Sequence, residues 1–115
     1  MISAAKSYTS RPLPLRLPRV CVAVAASDPA ELIEKAEGLT RDNSLLEFRL
    51  DHLSKPNLAL PKVKEFIETH PGVTVIATCR RVVSGGKFRG SIASQLDILA
   101  KAAAAGCQLV DDRGR

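Results

Sequence analysis

The sequence predicts an α/β fold built from parallel βα repeats, and two observations support this class. Apolar, strand-like runs begin at residues 20, 45, 73 and 107, and amphipathic segments with helix-start signals lie between them. The starts are 25, 28 and 34 residues apart, close to the about 31 residues that a (β/α)₈ barrel of typical length gives to each unit. A small open sheet and half of a barrel both fit this spacing, so the pattern indicates the class and leaves the closure of the sheet open.

A polar leader over residues 1–18, interrupted by three prolines, precedes the predicted domain, and we expect it to be flexible. The first strand follows at 20–26. Basic residues before this apolar run loosely resemble a signal peptide, but the run is short and strand-like, which favours a core strand of a cytoplasmic protein. No run approaches the roughly 20 apolar residues that a membrane span needs. A partial barrel domain of about four strands and three helices is therefore predicted over 19–115.

The other strands are predicted at 45–50, 73–79 and 107–111, and each intervening helix has its own start signal. Two of the four strand runs, 20–26 and 73–79, carry almost no polar residues, which is typical of strands covered on both faces. The helix-start signals are, in chain order, Asp28 with Pro29 and Glu31 for the first helix, Pro61 for the second, and Ser91 or Ser94 for the third. Gly106 is expected to end the third helix.

Charge and composition narrow the possible partners. The net charge of +5 suits an anionic partner, whether a small carboxylate, a phosphate or a nucleic acid. Aromatic residues make up only 3% of the chain, which argues against the stacking platforms that bind single-stranded nucleic acid. The three cysteines, Cys21, Cys79 and Cys107, lie within apolar runs without paired spacing, so we interpret them as reduced core thiols and predict no metal site.

The most unusual segment is EFRLD at residues 47–51, which carries three charges on a strand. Strand alternation puts Glu47, Arg49 and Asp51 on one face, where burial is costly unless each charge is paired. A self-satisfied ion pair near a strand end is one interpretation. The other is a polar face that binds substrate, because the carboxyl ends of barrel strands build the active site.

A second polar segment follows the third strand. Thr78 and Arg80 share one face, and the chain then enters a glycine-rich basic stretch, SGGKFRGS at 84–91. It matches no nucleotide-binding fingerprint, so no nucleotide cofactor is predicted from it. By composition alone it is a flexible basic loop, and its position after a strand favours a role in holding an anion.

Several segments in the same order resemble class I (Schiff-base) 3-dehydroquinate dehydratases, across roughly residues 18–111. The segments are VCVAVA at 20–25, ELIEKAE at 31–37, LEFRLDHL at 46–53, IATCR at 76–80 with GGKFRGS at 85–91, and LDILAKAAAAGCQLVD at 96–111. The resemblance implies the N-terminal half of a (β/α)₈ TIM barrel, without metal or nucleotide cofactor. It also implies a shikimate-pathway lyase whose lysine forms a Schiff base with 3-dehydroquinate and whose histidine moves protons.

Carried over by motif, the resemblance assigns substrate binding to Glu47, Arg49 and Arg80. The first two would contact ring hydroxyls, and Arg80 would lie close to the same polar cluster. No catalytic residue is assigned in this chain, because the family's Schiff-base lysine and its histidine belong to strands beyond residue 115. We do not move these roles onto His52, His70 or Lys87, since each is expected to be structural or solvent-exposed.

Two departures from the family pattern bear on activity. Ser84 stands where many family members have a glutamate, which puts one hydroxyl contact in doubt. The fourth strand should read V-D-x-E but here reads VDDR at 110–113, so Arg113 replaces an acid two residues before the end. This pattern indicates a fragment, a frameshift or a truncated gene, and the isolated chain is expected to be inactive.

Alternatives remain open for function and for assembly. The chain could be a small basic α/β module that binds an anionic metabolite or nucleic acid without catalysis. Within the dehydratase interpretation, which predicts a small-molecule substrate and no nucleic acid, either two copies or a separately encoded C-terminal half could complete a barrel. Open sheet edges favour such a homo-oligomer or complementing half.

Overall fold

The computed structural model describes residues 2–4 and 20–111, and its sheet contains four neighbouring parallel strands that alternate with helices. The elements in chain order are strand β1 (Ile2–Ala4), β2 (Val22–Val24), helix α1 (Pro29–Leu39), β3 (Leu45–Arg49), α2 (Pro56–Thr69), β4 (Thr74–Thr78), α3 (Ile92–Ala104) and β5 (Leu109–Asp111). Short 3₁₀ turns follow β3 and β4, at Leu50–His52 and Val82–Ser84. This alternation confirms the predicted α/β class of parallel βα repeats.

The strands are ordered β1-β5-β4-β3-β2 across the sheet, and β1 is antiparallel to its neighbour β5. In the parallel part, Arg49 pairs with Thr78 and Thr78 pairs with Asp111. These three residues end β3, β4 and β5, so their register places them side by side in one row. The carboxyl ends of three strands thus meet at one edge, which is where α/β proteins bind ligands.

The hydrophobic core lies between one face of the sheet and the three helices. Leu46 and Phe48 of β3, like Val75 of β4, belong to it and are fully buried. Phe48 meets Phe66 of α2 with ring centroids 5.5 Å apart. On the opposite face, Leu45, Ile76 and Leu109 form a second, smaller cluster. The helix-free face therefore carries apolar residues towards the strand starts and polar residues towards the strand ends.

Side-chain caps fix the starts of α1 and α3. Asp28 accepts a hydrogen bond from the Glu31 N–H at 2.9 Å, as its position before Pro29 predicts. Of the two candidate serines, Ser91 is the cap of α3, and its hydroxyl accepts from the Ser94 N–H at 3.1 Å. Within residues 20–111, no helix is long and apolar enough to cross a membrane.

The second helix begins earlier than the sequence predicts. It starts at Pro56, whose fixed φ suits the first helical position, and it runs through Pro61. Both Pro61 and Asn57 are exposed, so the Asn57 carbonyl that loses its helical partner can bond to water instead. Pro61 is therefore an interior residue of α2, and its interpretation as the helix start was wrong.

Two strands also differ from the prediction. The first parallel strand spans only Val22–Val24 rather than residues 20–26. The backbone of Ile2–Ala4 pairs with β5 in a region where the sequence predicts only a flexible leader. A three-residue strand has too short a pattern to be recognised from sequence. The remainder of that leader, residues 5–18, and Arg113 lie outside the described residues.

Candidate functional site

The polar ends of β3, β4 and β5 form the candidate site on the helix-free face of the sheet. Leu46 and Phe48 point towards the helices, so alternation directs Glu47 and Arg49 to the opposite face. Thr78 and Asp111 lie beside Arg49 in the same row, and Arg80 follows β4. The structure thus brings the predicted binding residues Glu47, Arg49 and Arg80 to one edge of one face.

Glu47 is oriented by the neighbouring strand. The buried Thr78 hydroxyl donates a hydrogen bond to Glu47 Oε2 at 2.6 Å. This contact fixes one carboxylate oxygen, while Oε1 has no hydrogen-bond partner within residues 20–111. A half-buried carboxylate held in this way can accept a hydrogen bond from a ligand hydroxyl.

Arg49 is held by a buried carboxylate two residues further along the chain. Its Nε donates to Asp51 Oδ1 at 3.2 Å and its Nη2 donates to Asp51 Oδ2 at 2.9 Å. The Asp51 side chain is 0% exposed and that of Arg49 is 18% exposed. Burial, the largest single cause, lowers the pKa of Arg49, but the hydrogen bonds and charge of Asp51 together with the charges of Glu47 and Asp111 outweigh it, so the net pKa is raised. Arg49 is a fixed cation at the rim of the site.

Asp51 itself does not continue the strand. It lies within the 3₁₀ turn Leu50–His52, so the backbone turns its carboxylate back towards Arg49. The alternation pattern places Glu47, Arg49 and Asp51 together, and the ion pair between the last two agrees with that placement. The ion-pair interpretation therefore holds for Arg49 and Asp51. Glu47 and part of Arg49 remain partly exposed, and substrate binding by this face stays a prediction.

Arg80 forms a second ion pair across the next two strands. Its Nη2 donates to Asp111 Oδ2 at 3.1 Å, and the side chains are 24% and 1% exposed respectively. The sequence analysis did not single out Asp111 as a site residue. An acid at the end of the strand-like run CQLVD was the available signal, because a buried carboxylate at a strand end needs a cationic partner.

The segment after β4 is a hydrogen-bonded turn rather than the flexible loop that its composition predicts. The Val82 N–H donates to the Phe88 carbonyl at 2.9 Å, and the Phe88 N–H donates to the Arg80 carbonyl at 3.0 Å. Gly85 has φ +89°, which glycine adopts without the strain other residues pay. At Gly86, an added Cβ would overlap the Arg80 carbonyl. The glycines are therefore needed to close the turn.

The same turn reaches the end of β3 through its backbone. The Lys87 N–H donates to Asp51 Oδ2 at 3.0 Å, across 36 residues of sequence. The Lys87 side chain is exposed, so its backbone rather than its ammonium group joins the site. A groove of about 490 Å³ lies between this turn and the segment after β3, and Asp51, His52, Lys87 and Phe88 line it.

The two histidines lie in different surroundings. His52 Nε2 is 3.9 Å from Asp51 Oδ2, and its side chain is 32% exposed. His70 stacks on Phe66 with ring centroids 4.2 Å apart, and its Nδ1 lies 2.8 Å from the Phe66 carbonyl oxygen. Residues 20–111 contain no group of three or more His, Cys, Asp or Glu side chains that could hold a metal ion.

Comparison with known proteins gives a consistent result. A family model described as type I 3-dehydroquinase matches residues 20–112. A 3-dehydroquinate dehydratase of Dehalococcoides mccartyi is 32% identical over 99 residues, which cover 84% of this chain and 39% of that protein. A 3-dehydroquinate dehydratase of Coxiella burnetii is 32% identical over 85 residues, which cover 74% of this chain and 35% of that protein. The chain therefore spans less than two fifths of the length of these relatives.

Proposed function

Because the chain belongs to the type I 3-dehydroquinase family, we propose that it is the substrate-holding part of a 3-dehydroquinate dehydratase. Such a lyase removes water from 3-dehydroquinate to give 3-dehydroshikimate in the shikimate pathway. The observation that carries the proposal is the meeting of Glu47, Arg49 and Arg80 at the carboxyl edge of β3 and β4. The proposed location of the protein is the cytoplasm, which agrees with the buried free thiols of Cys79 and Cys107.

The chemistry of the three residues suits a hydroxylated ring. Glu47 Oε1 can accept a hydrogen bond from a ring hydroxyl, since Thr78 engages only Oε2. Arg49 bonds Asp51 through Nε and Nη2, and no residue within 20–111 takes a hydrogen bond from Nη1, which can donate to a substrate oxygen. Arg80 has further donors beyond the Nη2 contact with Asp111. Because donors and acceptors of this kind are already oriented, they lose little conformational entropy when a substrate binds.

The chemical step is assigned to residues that this chain does not supply. In the proposed mechanism, a lysine on a later strand forms the Schiff base and a histidine moves the protons. The iminium acidifies the carbon next to the former ketone, so that a base can remove its proton before water leaves. Neither His52 nor Lys87 is given these roles. Negligible turnover is therefore expected for the 115-residue chain.

The binding proposal is tested by titrating the chain with 3-dehydroshikimate, which the isolated chain is not expected to convert, and following the amide signals by NMR. We expect weak binding, with Kd on the order of 1 mM, because the chain spans less than two fifths of the length of its relatives and other substrate contacts are assigned to later strands. Glu47→Gln and Arg49→Ala should each weaken it by about tenfold, since each removes a charge-assisted hydrogen bond. Lys101→Ala serves as the control, because Lys101 pairs with Asp97 on the solvent-exposed face of α3. If the amide signals at the strand ends of the wild-type chain do not shift during the titration, the proposal is contradicted.

The assignment of the Schiff base is tested separately by borohydride trapping. Incubating the chain with 3-dehydroquinate and borohydride should leave its mass unchanged, while a full-length dehydratase treated in parallel gains a covalent adduct. An adduct on the 115-residue chain would show that one of its own lysines forms the Schiff base.

The alternative of a basic binding module rests on the exposed cations Lys87 and Arg89 of the turn after β4. It predicts affinity for an oligonucleotide or an anionic metabolite that falls steeply as salt rises. The same NMR titration, performed with an oligonucleotide at two salt concentrations, tests it. Shifts confined to the turn, with none from 3-dehydroshikimate, would favour this alternative over the dehydratase.

A further inference from the structure

We propose that Asp51 is a positioning residue that sets the orientation of Arg49 and at the same time holds the turn after β4 against the segment that follows β3. The turn comprises residues 81–90. Nothing in the assignment of Glu47, Arg49 and Arg80 gives Asp51 a role. The consequence for ligand binding rests on the proposed function, whereas the coupling between Arg49 and the turn is a property of the chain itself.

Three donors converge on the one buried carboxylate. Oδ1 accepts from Arg49 Nε at 3.2 Å, and Oδ2 accepts both from Arg49 Nη2 at 2.9 Å and from the Lys87 N–H at 3.0 Å. The Asp51 side chain is fully enclosed, at 0% exposure. A buried carboxylate that is paired and hydrogen-bonded in this way keeps both donor groups in fixed positions.

The contact with Arg49 fixes a direction as well as a charge. A bidentate pair through Nε and Nη2 sets the plane of the guanidinium, and the opposite Nη1 edge then projects from the bond. With 18% of its side chain exposed, Arg49 still reaches solvent at the helix-free face. Without Asp51 the side chain would remain cationic but would sample several rotamers, and a ligand would have to order it.

The contact with Lys87 fixes the turn. The internal hydrogen bonds from Val82 to Phe88 and from Phe88 to Arg80 shape the turn, but they join it only to itself and to Arg80, two residues after β4. The bond from the Lys87 N–H to Asp51 links it to the 3₁₀ turn that follows β3. Arg49 and the turn therefore share one acceptor, so a ligand that orders one of them also favours the bound position of the other.

The coupling is tested by substituting Asp51→Asn in the full chain and following two NMR signals, the Lys87 amide and the Arg49 Nε–H. Asparagine keeps the size of the side chain but removes its charge. Hydrogen exchange should rise at least about tenfold at both groups, because a charge-assisted bond is replaced by a weaker one. Amides of the sheet core, such as that of Phe48, should keep their protection. Asp51→Glu restores the charge, so it should recover part of the protection at both groups.

Asp97→Asn is the matched control, since it neutralises an exposed carboxylate that pairs with Lys101 on α3. It should change neither signal. Unchanged exchange at Lys87 and Arg49 in Asp51→Asn overturns the proposal, and so does an equal loss of protection throughout the sheet, which would mark a merely structural role. If Asp51→Asn does not fold, Asp51→Glu tests the proposal instead. Its longer side chain displaces the carboxylate, so hydrogen exchange at Lys87 and Arg49 should still be faster than in the wild-type chain, while the sheet core keeps its protection.

Titration with 3-dehydroshikimate then separates this inference from the proposed function. If the wild-type chain binds, Asp51→Asn should lower the affinity about tenfold while Asp97→Asn leaves it unchanged. Equal affinities for Asp51→Asn and wild type overturn the positioning role and leave the proposed function standing. If the wild-type chain does not bind, the proposed function fails, and the exchange measurements still decide whether Asp51 couples Arg49 to the turn.

Discussion

Burial determines the chemistry available to the cysteines. Desolvation, with a smaller effect of the Asp51 charge, raises the pKa of the Cys79 thiol to about 12. Desolvation alone is the raising cause at Cys107, whose pKa is also about 12. Cys21 is exposed, and its pKa is raised by partial desolvation and then by the charge of Glu47. Cys79 and Cys107 are therefore inert core residues, as their apolar sequence context predicts.

The raised pKa values of Cys79 and Cys107 should make the folded chain less stable at alkaline pH. In the unfolded chain these thiols ionise near the ordinary pKa of 9.0, whereas in the folded chain they stay neutral up to about 12. The free energy of unfolding should thus fall as pH rises from 9 towards 12, by about 1.4 kcal/mol per pH unit for each thiol. Urea unfolding at several pH values measures this slope. Cys107→Ala should reduce the slope by the contribution of one thiol, whereas Cys21→Ser should leave most of the slope in place. Equal slopes in the wild-type chain and Cys107→Ala would contradict the prediction.

Gln108 contributes to stability through a buried amide. Its Oε1 accepts from the Val75 N–H at 3.0 Å and its Nε2 donates to the Val73 carbonyl at 3.5 Å. Gln108→Leu leaves the Val75 N–H buried without a partner, so we expect a loss of about 1–3 kcal/mol in the free energy of unfolding.

Gln95 is the matched comparison for Gln108. Its Nε2 donates to the Cys79 carbonyl at 2.7 Å, but its buried Oε1 has no partner in the part of the chain that the structure describes. Gln95→Leu removes this unsatisfied oxygen together with one good bond, so it should cost less than Gln108→Leu. Urea unfolding of both variants checks the order, and the reverse order would contradict it.

Among the elements, the turn after β4 depends on its glycines. Gly85 has φ +89° and open space around it, so Gly85→Ala should lose about 1–2 kcal/mol through backbone strain. Gly86→Ala should lose more, because its Cβ meets the Arg80 backbone and the turn cannot close. Gly38→Ala in α1 is the control, since nothing lies within 4 Å of its added Cβ and alanine favours the helix. In thermal unfolding, Gly86→Ala should be the least stable, Gly85→Ala intermediate and Gly38→Ala the most stable of the three. Equal stability of Gly85→Ala and Gly38→Ala would contradict this prediction.

The elements show which parts of the fold can be predicted from sequence. Asp28 and Ser91 act through bonds to residues three positions away, so their caps can be recognised locally. Pro61 was misassigned because the same proline signal occurs at Pro56, and only the packing of α2 decides between them. The alternation of β3 gives the faces of Glu47 and Arg49, since strand geometry fixes them.

The candidate site was predictable only in part, because its decisive contacts are distant in sequence. Thr78 and Glu47 are 31 residues apart, as are Arg80 and Asp111, so their pairing depends on the register of neighbouring strands. The bond from the Lys87 N–H to Asp51 is a backbone contact that no residue type signals. For the segment after β4, composition therefore predicts a flexible basic loop, whereas its tertiary contacts make it an ordered turn.

For the whole molecule, strand β1 covers one edge of the parallel part of the sheet. The backbone of β1 pairs with β5, from Ile2 opposite Asp111 to Ala4 opposite Leu109. In a (β/α)₈ barrel the next parallel strand would take this edge of β5. A complementing C-terminal half would therefore have to displace β1, while a second copy of the chain could pair at the same edge only after β1 leaves.

Deleting residues 1–4 tests whether β1 protects this edge. An uncovered strand presents unpaired N–H and C=O groups that pair readily with another chain, so the shortened protein should self-associate more strongly than the full chain. Light scattering coupled to size exclusion, over a range of protein concentrations, measures the average mass. Ser3→Ala keeps the backbone of β1 and should behave as the full chain does. If the shortened protein and the full chain keep the same mass at every concentration, β1 does not guard the edge.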